Sequence, residues 1–160
     1  MVATIERLGL ITKESANCAE VLAVGGIPFL TAALRDVASS DDSKDWCAYA
    51  LANIASVSAA GAAAVVAMGA VPALIASLDR DPIAGKTKLW CAKALAEVAA
   101  EAGGASTVVA AGAVPALTAA LRDVASSDGT KSWCSRTLAR IVEKAADGAA
   151  VVVAAGAVPA

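Results

Sequence analysis

The stretch Gly69-Ala70-Val71-Pro72-Ala73-Leu74 decides how the rest of this chain is interpreted, because its pattern occurs four times. The other copies are Gly25-Gly26-Ile27-Pro28-Phe29-Leu30, Gly112-Ala113-Val114-Pro115-Ala116-Leu117 and Gly156-Ala157-Val158-Pro159-Ala160. Their prolines are 44, 43 and 44 residues apart, and a Trp-Cys pair recurs in the same phase at Trp46-Cys47, Trp90-Cys91 and Trp133-Cys134. A constant period of this length is typical of solenoids, in which each unit buries its apolar face against its neighbours.

Each copy of the pattern predicts a sharp corner between two helices. Glycine suits the left-handed residue that ends a helix, and proline suits the first turn of the next one. The composition is 58% hydrophobic but only 3% aromatic, which favours helices packed closely through alanine and valine. The uncharged stretch 58–78 is long enough to span a bilayer, but the corner divides it. We therefore expect two short helices folded against each other, and no membrane partner.

Apolar periodicity predicts an all-helical chain in which two short helices and a longer third one alternate. The predicted helices are 3–11, 14–24, 27–35, 43–56, 60–68, 71–78, 86–100, 106–111, 114–121, 131–144 and 148–155. The polar loops before the third helices, such as Ser39-Ser40-Asp41-Asp42, can cap the helices that follow them.

The period divides the chain into a single array over 1–160. It starts with a partial repeat, 1–24, continues with repeats 25–68, 69–111 and 112–155, and ends with 156–160 as the truncated start of another. Both ends fall inside a repeat, and neither shows the polar capping unit of natural solenoids. We therefore expect an excised or engineered piece of a longer array, whose uncapped apolar ends would promote homo-oligomers.

The segment Ala48-Tyr49-Ala50-Leu51-Ala52-Asn53-Ile54-Ala55 resembles the third helix of armadillo repeats, the units of β-catenin-like and importin-α-like proteins. With the preceding corner and second helix, the resemblance covers almost the whole chain. It implies an all-α fold: a right-handed α–α superhelix of about three repeats with partial repeats at both ends. It also implies that the third helices line a concave groove that holds an extended peptide.

The groove face of the third helices supplies the candidate binding residues. Trp46, Tyr49 and Asn53 stand at i, i+3 and i+7 and so share one side of their helix. The matching positions in the next two repeats are Trp90, Lys93, Glu97, Trp133, Arg136 and Arg140. The resemblance predicts a ladder of tryptophans beside a polar ladder. Asparagine would hold the peptide backbone, arginine a carboxylate, and tryptophan would offer flat contact area.

Other interpretations of these candidate binding residues remain open. The asparagine expected in the groove is present only at Asn53, so an importin-like signal-peptide site is not expected. The tryptophans could instead fill gaps between repeats or cover the polar loop, and the charged residues could form a solvated face.

The sequence offers little for catalysis or cofactors. There is no histidine, the formal net charge is −2, and no clustered basic face indicates nucleic acid. Gly85-Lys86-Thr87 resembles only the tail of a P-loop, and acidic residues such as Asp45 are explained by helix capping rather than by a cation. The four cysteines, Cys18, Cys47, Cys91 and Cys134, form no C-x-x-C pair, and we interpret them as buried apolar residues in a reducing, cytoplasmic or nuclear compartment.

The sequence therefore predicts a non-catalytic protein–protein interaction scaffold with no cofactor and no metal. Two alternatives remain. The first is an engineered or excised structural fragment without a partner of its own. The second is an accessory binding segment of a larger signalling or ubiquitin-ligase protein.

Overall fold

The chain is described by a computed structural model over residues 2–12, 15–80 and 86–157, and within these ranges it forms helices and no strand. Three parts of the predicted pattern lie outside the described residues: Glu14 at the start of the second predicted helix, residues 81–85 of the loop before the predicted helix 86–100, and residues 158–160 of the last corner. The helices are α1 (Val2–Ile11), α2 (Ser15–Ala23), α3 (Gly26–Arg35), α4 (Asp41–Val57), α5 (Ala59–Ala67), α6 (Ala70–Asp79), α7 (Thr87–Ala100), α8 (Gly104–Ala110), α9 (Ala113–Arg122), α10 (Asp128–Lys144) and α11 (Gly148–Ala154). Each of them was predicted from the sequence, with its ends at most three residues away.

The repeated Gly-x-Val/Ile-Pro pattern forms the corner that the sequence predicts. Gly69 has φ 70°, and the corner glycines of the other repeats adopt the same left-handed conformation, which a Cβ would disfavour. Pro72 follows in the first turn of α6, where its missing N–H breaks no helical hydrogen bond. The chain consequently bends by 81° between α5 and α6 and by 83° between α8 and α9.

Within the described ranges, no single helix combines the length and the apolar composition needed to cross a membrane. Only two bent pairs, α5 with α6 and α8 with α9, reach that length and composition when their two helices are taken together.

The helices stack in three parallel rows, one for each position in the repeat. First helices α2, α5, α8 and α11 contact one another in order, as do second helices α3, α6 and α9. The third row contains α1, α4, α7 and α10, and its contacts between α4, α7 and α10 are the most extensive in the fold. The tryptophan-bearing helices therefore run side by side, as a solenoid requires.

Small side chains make the close stacking of the third row possible. The buried face of α7 is largely alanine, and Ala92, Ala94, Ala96 and Ala99 are all fully buried. The larger members of the core, including Leu51, Leu95 and Leu117, are also fully buried and fill the space between rows. This packing explains how the chain builds a continuous core from so few aromatic residues.

The serine-rich loops cap the third helices that follow them, as predicted. The Ser40 hydroxyl accepts a hydrogen bond from the backbone N–H of Ser43 at 3.3 Å, and Ser127 accepts one from Thr130 at 3.2 Å. Each serine satisfies one of the free N–H groups at its helix start. The third helix between them, α7, has no side-chain cap from its own N-cap residue, Lys86.

Candidate functional site

The three tryptophans occupy matching places on neighbouring third helices. Trp46 on α4, Trp90 on α7 and Trp133 on α10 are each half-buried and pack against the core with one part of the ring. Each leaves another part accessible at the surface. Each tryptophan therefore contributes both to the core and to the surface of the groove face.

Aromatic contacts connect α4 to α7. The Tyr49 ring lies 5.9 Å from Trp46 and 4.7 Å from Trp90, measured between ring centroids, and both contacts are edge-to-face. Such pairs add about 0.5–1.5 kcal/mol beyond their buried area. In the predicted ladder of tryptophans, a tyrosine thus stands between the first two indoles.

Cations replace the tyrosine in the next two repeats. The Lys93 ammonium lies 5.5 Å from the centroid of Trp90, and the Arg136 guanidinium lies 5.2 Å from that of Trp133. A cation over an indole face is held by roughly 0.5–1 kcal/mol at an exposed site. The groove face therefore changes along the array from aromatic at α4 to cationic at α7 and α10.

The third position of the groove face differs in every repeat. The Arg140 guanidinium forms an ion pair with Glu97 at 3.4 Å and donates a hydrogen bond to the Ala96 carbonyl, which ties α10 to α7. On α4 the equivalent residue is Asn53, whose buried Nδ2 has no hydrogen-bond partner. Asn53 thus retains an unused donor, whereas Glu97 and Arg140 engage each other.

An open cleft of about 450 Å³ lies where α1, α4 and α7 meet. We call it the aromatic cleft, and its lining residues are Leu10, Asp42, Asp45, Trp46, Tyr49, Lys86 and Trp90. The sequence identified its three aromatic residues but not Leu10 or the acidic rim. Helical spacing was a signal for the acidic rim, because Asp42 and Asp45 lie four residues before Trp46 and Tyr49 on α4. Leu10 had no such signal, since it reaches the cleft only through the stacking of α1 on α4.

Asp45 caps the start of α7, one repeat further along the chain. Its carboxylate accepts a hydrogen bond from the backbone N–H of Lys86 at 2.9 Å and another from the Thr87 hydroxyl. Asp45 therefore caps a helix start, as expected of these acidic residues, but the start of α7 instead of that of its own helix. The negative charge of the Asp45 carboxylate is also stabilised by the positive, N-terminal end of the α7 helix dipole.

Replacing Asp45 with alanine is expected to lower the free energy of unfolding by about 1–2 kcal/mol, because α7 would start with an uncapped N–H. Urea unfolding followed by circular dichroism measures this loss. Ser132→Ala at the matching, exposed position of α10 is the control and should change little. A loss in the control as large as that in Asp45→Ala would contradict the capping role.

Metal and thiol chemistry find no support in the described part of the chain. It contains no group of three or more Cys, Asp or Glu side chains placed to hold a metal ion. The four cysteines are free and buried, and burial raises the pKa of Cys47 and of Cys134 to about 12. A thiol that stays protonated at neutral pH is a poor nucleophile and a poor metal ligand.

Comparison with known proteins identifies the architecture. One engineered protein of known crystal structure superposes with a TM-score of 0.85 at 26% identity, over 96% of this chain and 62% of its own. Computationally designed armadillo repeat proteins for modular peptide recognition superpose with a TM-score of 0.86 at 21% identity, over 97% of this chain and 63% of theirs. The chain has an armadillo repeat fold.

A further armadillo structure holds a ligand. This designed armadillo repeat protein, in complex with the peptide (KR)4, superposes with a TM-score of 0.81 at 20% identity, over 98% of this chain and 62% of its own. The present chain spans somewhat over three fifths of the length of these three proteins. No protein-family model and no curated protein matches the sequence.

Proposed function

We propose that this armadillo array is a protein-interaction scaffold that binds an extended peptide across α4, α7 and α10. The observation that carries the proposal is the aromatic cleft, where Trp46, Tyr49 and Trp90 offer flat, rigid contact area at the surface. Rigid aromatic side chains lose little conformational entropy on binding and are frequent anchors in interfaces. The peptide complex of a designed armadillo neighbour supports peptide binding by an array of this fold.

Asn53 would hold the backbone of the peptide. Its Nδ2 is a buried donor without a partner, and such a group costs free energy until it finds an acceptor. Because Nδ2 is shielded from solvent as it lies, the side chain would turn outward to donate to a peptide carbonyl, while the amide oxygen accepts a backbone N–H. Main-chain recognition of this kind fits an extended ligand of variable sequence.

The charges along the groove favour a ligand of mixed charge. At the α4 end, the aromatic cleft contains two carboxylates, Asp42 and Asp45, against one cation, Lys86. Lys93 and Arg136 lie on the indoles of α7 and α10. A basic side chain therefore fits the α4 end, and an acidic one fits the α10 end. A uniformly basic peptide such as (KR)4 would meet two cations and is expected to bind poorly.

Reversing the groove cations tests this proposal. Peptides selected from a random displayed library should lose at least about tenfold in affinity for the Lys93→Glu/Arg136→Glu variant, since each lost charge pair is worth 1–3 kcal/mol. All three tryptophans of the chain lie on the groove face, so their fluorescence reports binding directly. Arg80→Glu, at the residue that follows the second helix α6, is the control for a charge reversal outside the groove and should bind normally.

Two outcomes would contradict the peptide-groove proposal. Selected peptides that bind the charge-reversed variant unchanged would place the site elsewhere. Failure to select any peptide would favour the alternative of a structural array without its own partner. Charge reversal leaves the tryptophans in place, whereas removing Trp90, which packs against the core, would also change stability.

A further inference from the structure

An arginine clamp joins successive repeats on the side of the second helices. Arg35, the last residue of α3, donates from Nη2 to the Gly69 carbonyl at 3.1 Å. Arg122, the last residue of α9, donates in the same way to the Gly156 carbonyl at 2.6 Å. In both cases the guanidinium crosses to the corner glycine 34 residues ahead, so that a second helix is tied to the next corner.

The middle repeat lacks this clamp. The residue that ends α6 is Asp79, at the position of Arg35 and Arg122, and the corner ahead of it is Gly112. A carboxylate only accepts hydrogen bonds, so Asp79 cannot donate to the Gly112 carbonyl. Asp79 and Gly112 both line the space at this position, where the repeats on either side hold a guanidinium.

An open cleft of about 410 Å³ lies at that place, between α6 and α9. We call it the second-helix cleft, and it is lined by Pro72, Ile75, Ala76, Asp79, Ala111, Gly112, Pro115, Ala116 and Ala119. Its walls are apolar apart from Asp79 and the exposed backbone of the corner. It shares no lining residue with the aromatic cleft.

We propose that the second-helix cleft binds an arginine side chain of a partner protein, which replaces the missing clamp. The guanidinium would donate to the Gly112 carbonyl, as Arg35 and Arg122 do in their own repeats, and would pair with the Asp79 carboxylate. Its methylene groups would lie on Pro72 and Ile75. Arginine fits better than lysine because its planar fork serves two acceptors at once, whereas an ammonium is a strongly hydrated point charge.

The site is independent of the proposed peptide groove. Second helices line it, whereas third helices line the groove. A partner could therefore occupy this cleft while the groove is empty, and the two sites can be tested separately.

The test uses N-acetylarginine amide as the probe and amide chemical shifts of the intact chain as the readout. We expect saturable shifts centred on Gly112, Asp79 and Ala76, with a Kd on the order of 10 mM for this single side chain. N-acetylcitrulline amide, which has the same shape but no charge, should bind at least about fivefold more weakly. Asp79→Asn should weaken binding by a similar factor.

Asp79→Arg provides the decisive variant, because it should fill the cleft with a clamp made by the chain itself. It should fold, unfold at a slightly higher temperature than the wild type, and no longer respond to the probe. Lys93→Glu/Arg136→Glu should respond normally, which separates this site from the groove. Equal responses to arginine and citrulline, shifts centred on the tryptophans, or an unchanged response in Asp79→Arg would each overturn the proposal. Shifts that appear with protein concentration alone would assign the cleft to a second copy of the chain and also overturn it.

Discussion

Replacing Gly104 with alanine is expected to lower the free energy of unfolding by roughly 3 kcal/mol or more, the largest loss we expect from one methyl group in this chain. A Cβ at Gly104, the first residue of α8, would overlap the carbonyl oxygen of Val98 in α7. A backbone oxygen cannot rotate away as a side chain can, so α8 would have to move from α7. Because α7 contacts third helices on both sides, the displacement would spread to neighbouring repeats.

Gly112→Ala is the matched control, since it adds the same methyl group at a corner glycine. A Cβ there would meet nothing within 4 Å, but the residue has φ 80°. Only backbone strain opposes the change, which should cost about 1 kcal/mol. Urea unfolding of the two variants measures the difference. A cost for Gly104→Ala no greater than that of Gly112→Ala would show that α8 and α7 are less closely apposed than we describe.

High pH is expected to destabilise the array through its buried thiols. Burial raises the pKa of Cys47 and Cys134 from 9.0 to about 12 and also raises the pKa of Cys91. Folding therefore favours the neutral thiol. This contribution to stability is complete below pH 9 and is lost as the pH rises toward 12, by up to about 1.4 kcal/mol per pH unit for each thiol.

The slope of unfolding free energy against pH, measured above pH 9 under reducing conditions, tests this expectation. Cys47→Ala/Cys134→Ala should reduce the slope, whatever it does to stability at neutral pH. Val65→Ala also shortens a fully buried side chain but removes no titrating group, so it should leave the slope unchanged. If the cysteine variant keeps the wild-type slope, the thiols do not ionise in the unfolding reaction in this range.

Local sequence signals were sufficient to predict the helices and the corners between them. The left-handed glycine and the proline of each corner act on their own segment, and apolar periodicity shows which side of a helix is buried. The inward positions of Leu51 and Leu95 and the side-by-side third helices follow from the same pattern.

Contacts between repeats were harder to predict because they depend on the register of stacking. Asp45 reaches Lys86, Arg35 reaches Gly69, and Arg140 reaches Glu97, each across more than thirty residues. The sequence does carry one signal of a contact between neighbouring helices. Gly61, Gly104 and Gly148 recur in phase with the corners and mark where each first helix meets the preceding third helix.

The groove face was only partly predictable for the same reason. Its nine positions could be placed on one side of the third helices from spacing alone. Spacing could not show that Tyr49 lies between two indoles, that Glu97 and Arg140 pair with each other, or that Asn53 has an unused donor. The aromatic contact, the ion pair and the unpaired amide each depend on which side chain the neighbouring repeat places beside them.

The junctions between repeats differ in chemistry, and this limits how the units could be rearranged. Asp45 of α4 meets the polar start of α7, whereas Leu89, its counterpart in α7, lies against Gly129 at the start of α10. The helix start that Asp45 serves has no side-chain cap from its own N-cap residue, while α10 has its own serine cap. Exchanging the repeats that carry Asp45 and Leu89 would therefore place a leucine before an uncapped helix start. The units of this protein are not interchangeable modules, and a lengthened array would have to keep an acidic residue ahead of every helix that begins as α7 does.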